Sequence, residues 1–149
     1  MDNIQLYIDS GNVLRLQFHD AVHPELVPIK ADHWNAIYKI YHHQTLFDHG
    51  LFSNNYFICK QRKLLIIEEY NRTILDKDSI KTDDDVIKNL RLFDFKSNKT
   101  CRFSKLTGGS FLLQKFVDNN FIFSKQYSGK ISEFEIDITS TILVDFGKL

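Results

Sequence analysis

A chain of 149 residues with 43% hydrophobic and 13% aromatic content, two prolines and six glycines can bury a sizeable single core and is too apolar for a disordered segment. Nineteen Lys and Arg balance nineteen Asp and Glu, so no whole-molecule field draws it towards nucleic acid or an anionic membrane. Met1-Asp2-Asn3-Ile4 does not begin a secretory leader, no run approaches membrane-spanning length, and two distant cysteines, Cys59 and Cys101, form no disulfide framework or cysteine-based zinc site; the expectation is one cytoplasmic domain over residues 1–149, with no membrane association and no cofactor.

The chain opens with two alternating stretches, Ile4 to Ile8 and Val13 to Phe18, joined by the turn-forming Asp9-Ser10-Gly11-Asn12. This pattern predicts a β-hairpin. After Pro24 and Pro28, residues 32–48 place Trp34, Ile37, Tyr38 and Tyr41 at helical spacing, with Asp32 as N-cap and Gly50 as terminator. That predicts the principal helix.

A second hairpin is expected from Tyr56–Lys60 and Leu64–Tyr70 across Gln61-Arg62-Lys63. Its later strand is apolar on both faces and so belongs in the middle of a covered sheet. Thr82 followed by Asp83, Asp84 and Asp85 predicts a capped, shorter helix over about 83–92, through Val86, Ile87 and Leu90. The remainder reads as a strand meander through Phe111–Val117, Phe121–Phe123, Phe134–Ile138 and Ile142–Val144, although Ser110 could instead cap a short helix over 110–117. The expected fold is α+β: a mainly antiparallel sheet of hairpins and a C-terminal meander, packed with one principal helix and a second shorter one.

Three constellations bear on function. His19-Asp20-Ala21-Val22-His23 spaces two imidazoles four apart around an acid, and His33 and His42 lie on the expected helix; either group could serve a small metal- or histidine-dependent hydrolase or nuclease. Pro24 disfavours a helix through His23, and the Asp is shorter than the Glu of the zinc motif. The stretch 88–105 interleaves Lys88, Arg91, Lys96, Lys99, Arg102 and Lys105 with Phe93, Phe95 and Phe103, a composition suited to a nucleic-acid groove. Apolar residues inward and cations outward explain the same pattern without nucleic acid.

The third is acidic: Glu68, Glu69, Asp76, Asp78, Asp83, Asp84 and Asp85 repel one another unless a cationic partner answers them. No calcium-loop, phosphate-loop, dinucleotide or nucleophile-elbow spacing accompanies them. The expectation is a non-catalytic protein-binding module of the inhibitor or immunity type, neutralising a basic toxin or enzyme. Glu68, Glu69, Asp83, Asp84 and Asp85 are its expected contacts.

Overall fold

The computed structural model describes residues 3–20, 37–71 and 86–149. In chain order the strands are β1 (Ile4–Asp9), β2 (Asn12–Asp20), β3 (Ile37–His42), β4 (Thr45–Leu46), β5 (Leu51–Cys59), β6 (Leu64–Tyr70), β7 (Ile87–Asp94), β8 (Lys99–Thr107), β9 (Ser110–Val117), β10 (Asn120–Tyr127), β11 (Lys130–Asp137) and β12 (Val144–Asp145). Nine form one sheet in the order β1-β2-β3-β5-β6-β7-β8-β12, with β4 paired to β3, and β11-β10-β9 form a second. All pairings are antiparallel.

This corrects the α+β expectation: the described residues are nearly all antiparallel sheet, and no helix among them reaches seven residues. Within the expected principal helix over 32–48, residues Ile37–His42 form a strand paired to β2 and β5, while 32–36 lie outside the described residues. Within the expected helix over 83–92, Ile87 onward is β7, and Asp83, Asp84 and Asp85 lie outside the described residues. Burial on both faces explains the discrepancy. A strand covered on both faces carries apolar residues in odd and even positions alike, and such a set can match helical spacing by coincidence.

The middle strands show this double covering. All seven residues of β6 are buried. Leu65 and Ile67 face a cluster with Leu6, Ile8, Leu14, Leu16, Tyr38, Ile40, Phe52 and Phe93, drawn from the curled long sheet itself. Leu64 and Ile66 face the opposite way, joining Leu90, Leu92, Cys101, Phe111, Phe121 and Phe123, so the three-stranded sheet packs across the back of β6–β8. Phe121 is the hinge of that packing, with ring centroids 5.0 Å from Phe116, 5.5 Å from Phe57 and 5.8 Å from Phe123, distances at which aromatic pairs add to area burial.

Both expected hairpins are present as β1–β2 and β5–β6, and residues 110–117 are strand. Asp9 closes the first hairpin by accepting hydrogen bonds from Gly11 N at 2.9 Å and Asn12 Nδ2 at 3.0 Å.

Candidate functional site

The acidic pair at the end of β6 points inward. Adjacent residues on a strand face opposite ways, and Glu68 and Glu69 accordingly enter two separate polar networks, each carboxylate almost wholly buried. Glu68 accepts from Ser53 Oγ at 2.8 Å and from the Phe111 amide at 3.3 Å, and Lys88 Nζ lies 3.5 Å away while also donating to the Gly109 carbonyl at 2.7 Å. It therefore ties the long sheet to the start of β9.

Glu69 sits on the other face, at the wall of a cleft of about 400 Å³ lined also by Asp48, His49, Gly50, Tyr70 and Arg102. Arg91, fully buried, donates to Glu69 Oε2 at 2.8 Å, to Thr100 Oγ1 at 3.1 Å and to both oxygens of Asp48 at 2.9 and 3.0 Å. Its guanidinium also lies over the Phe93 ring, 4.6 Å from the centroid. From the solvent side Arg102 Nε donates to Glu69 Oε1 at 2.6 Å, and this bond holds the Arg102 guanidinium above its ordinary value against the opposing effect of burial. Two carboxylates and two guanidiniums thus neutralise one another, and Gly50 is required beside them. A Cβ there would stand 2.6 Å from both Glu69 Oε2 and Phe52 Cζ. Charges removed from water need this degree of pairing to avoid several kcal/mol of uncompensated desolvation.

Half of the cationic stretch is consumed by the same networks, while Lys96 and Lys105 stay exposed. Lys88, Arg91 and Arg102 serve Glu68 and Glu69, while Phe93 and Phe95 are buried in the core. Phe103 packs against Phe121 and Phe123. Of the histidines, His19 lies on β2 and His42 ends β3, its ring 4.5 Å from that of His43. His23 and His33 lie outside the described residues, as does the side chain of Asp20. Among the described residues no group of three His, Cys, Asp or Glu side chains is placed to hold a metal ion, and no helix is long and apolar enough to cross a membrane.

Among the described residues, an acidic strip that faces outward lies on β11. Among the described residues this strand borders the three-stranded sheet with no neighbour beyond it. Ser128 and Gly129, with φ of 48° and 75°, join it to β10, and Tyr127 pairs with Lys130. Two positive-φ residues make a type I′ turn whose closing pair exchanges both backbone hydrogen bonds. Alternation then directs the N–H and C=O of Ser132, Phe134 and Ile136 to β10, and those of Ile131, Glu133, Glu135 and Asp137 away from the sheet.

The side chains alternate in step. Ile131, Glu133, Glu135 and Asp137 share the outer face, and Ile131 is 61% exposed. Neither Glu133 nor Glu135 has an ion-pair partner among the described residues, whereas Asp137 accepts from Thr139 N and Oγ1 at 2.9 and 2.7 Å. On the inner face Phe134 stacks on Phe123 at 5.7 Å and carries Lys125 Nζ 4.7 Å from its ring centroid. Beside it a groove of about 390 Å³, lined by Lys105, Leu106, Thr107, Tyr127, Ser132 and Phe134, opens between the end of β8 and the β10–β11 hairpin. Burial against these walls lowers the Lys125 ammonium below its ordinary value, and the same ammonium donates to the Lys105 carbonyl at 3.0 Å.

Sequence reasoning passed over this edge because its acids are dispersed. The available signal was a carboxylate at every second position, Glu133, Glu135 and Asp137, in the last long strand of a meander. Comparison with family models, with curated proteins and with solved structures returned no match.

Proposed function

We propose that the protein is a non-catalytic protein-binding module of the inhibitor or immunity type, and that it engages a basic partner protein through the acidic β11 edge. One contrast carries this reading: Asp48, Glu68 and Glu69 are answered by internal cations, whereas Glu133 and Glu135 stand on an open strand without an ion-pair partner among the described residues. Charges of the first kind support the fold. Charges of the second kind are free to steer a cationic partner and to discriminate against acidic ones.

The test is affinity capture with the tagged protein beside a Glu133→Lys/Glu135→Lys variant, followed by purification of whatever differs. A single basic protein bound by the wild type, released by moderate salt and lost with the charge-reversed variant supports the reading. Equal recovery by both proteins removes β11 from the interface. An Asp83→Asn/Asp84→Asn/Asp85→Asn variant measures separately what that acidic run contributes.

A further inference from the structure

We infer that the partner supplies an extended, basic segment that adds to β11 as a fourth strand of the small sheet. This rests on the protein-binding reading above and specifies its mode.

Three features converge on one line of backbone. First, the outward N–H and C=O groups of Ile131, Glu133 and Glu135 form a row that another strand can complete, the arrangement used when an extended segment augments a sheet edge, and the row ends at Asp137, whose carbonyl accepts from Ser140 Oγ. Second, the side chains of those same residues present carboxylates on one face. In an antiparallel addition the residue directly opposite shares that face, so Lys or Arg at every second position of the incoming strand meets Glu133 and Glu135. Third, the intervening side chains fall on the other face, at the mouth of the groove lined by Leu106, Tyr127 and Phe134 together with Lys105 and Lys125, where apolar residues can meet the Phe134 ring while the two ammonium groups disfavour further cations on that face.

Charge disfavours a second copy of the same edge. Two β11 strands paired about a two-fold axis set Glu133 against Glu135, or Glu133 against itself, in the registers that overlap the strands most fully. Like charges directly opposite destabilise a sheet. The occupant is therefore a heterologous cationic strand with apolar residues at alternate positions.

The probe is the labelled peptide Lys-Val-Lys-Phe-Lys-Val-Lys, capped at both ends, with its binding to the 149-residue chain read by fluorescence anisotropy. Two further peptides carry backbone N-methyl groups, one series on the lysines and the other on Val and Phe. Antiparallel addition turns the lysine amides towards β11, so lysine methylation is expected to weaken binding roughly tenfold or more, the equivalent of losing more than one hydrogen bond. The Val/Phe-methylated peptide is expected to bind like the parent.

Glu133→Gln/Glu135→Gln, whose exposed positions leave folding intact by thermal melt, is expected to weaken the parent peptide by roughly threefold to tenfold. Equal binding by all three peptides overturns strand addition while leaving an acidic docking surface standing. Failure of the parent peptide to bind overturns it outright, and the charge-reversal capture then decides whether the broader reading survives.

Discussion

The guanidinium of Arg91 grips the carboxylate of Asp48 with two hydrogen bonds, 2.9 and 3.0 Å long, joining the loop before β5 to the middle of β7. Because Arg91 also serves Glu69 and Thr100, its removal takes the cation from Asp48 and leaves the buried Glu69 held by Arg102 alone. Arg91→Ala is expected to destabilise the protein by about 3–5 kcal/mol, the usual result of breaking a buried pair by deleting one partner. Arg91→Lys keeps the charge but not the planar fork, and should fall between Ala and wild type. Urea midpoints measure both, and a lysine variant as stable as wild type would show that the fork geometry contributes nothing.

Gly50 tests the packing around the same network. Gly50→Ala drives a methyl against Glu69 Oε2 and the Phe52 ring, and overpacking of this kind costs about 1–3 kcal/mol. Gly11→Ala is the control, since its Cβ meets only Asp9 Oδ1 at an ordinary 3.6 Å. Its melting temperature should stay close to wild type while that of Gly50→Ala drops by several degrees.

Burial pushes the Cys101 thiol above its ordinary value, with the side chain of Thr141 and the charge of Arg91 opposing the shift. In a Cys59→Ser background, labelling of Cys101 by an aromatic disulfide reagent should follow the rate of unfolding rather than the concentration of reagent. The raised value also fixes a sign. Its contribution to stability is fully present below the unfolded thiol value and is lost as pH rises through the folded one, so Cys101→Ala should flatten the alkaline limb of the stability profile.

Asp137 supplies the opposite sign. The hydroxyl and then the amide of Thr139 hold its carboxyl below the ordinary carboxylate value, so the folded chain binds fewer protons there than the unfolded chain. Its contribution is present above the ordinary value and lost as pH falls through the lowered one. The Thr139 amide resonance should report that transition, and Asp137→Ala should abolish it while loosening the short 3₁₀ turn at Ile138–Ser140.

Where alternation met turn chemistry, the local sequence was sufficient. Asp9, Gly11 and Asn12 announce the first turn, and the apolar run Leu64–Ile67 announces a strand covered on both sides. The same covering misled at Ile37–Tyr41 and Val86–Leu90, where Ile37 and Tyr38, and likewise Val86 and Leu90, join different clusters yet fall at helical intervals. The β-branched and aromatic character of Ile37, Tyr38, Ile40 and Tyr41 was the countervailing signal. Glu68 and Glu69 were recognisable as unusual acids, but their fate depended on the register between β6 and β7, which sets Ile67 opposite Arg91 and Tyr70 opposite Lys88. Charge neutralised across strands is invisible to a scan that counts charge along one.

The order of strands also dictates how the molecule can assemble. From β1 to β8 each strand on the main path joins its predecessor on that path, and only β12 returns from a distance to pair with β8 at Thr100 and Lys99. Loop closure is cheapest for such near neighbours, so the long sheet can extend hairpin by hairpin, each addition templated by the last. The β9–β11 unit can form independently and dock through Phe121 afterwards. Refolding should therefore be fast for an all-β chain, with amides of β6 and β7 gaining protection before those of β12, and truncation of Phe121 should accelerate undocking of the small sheet more than it slows growth of the large one.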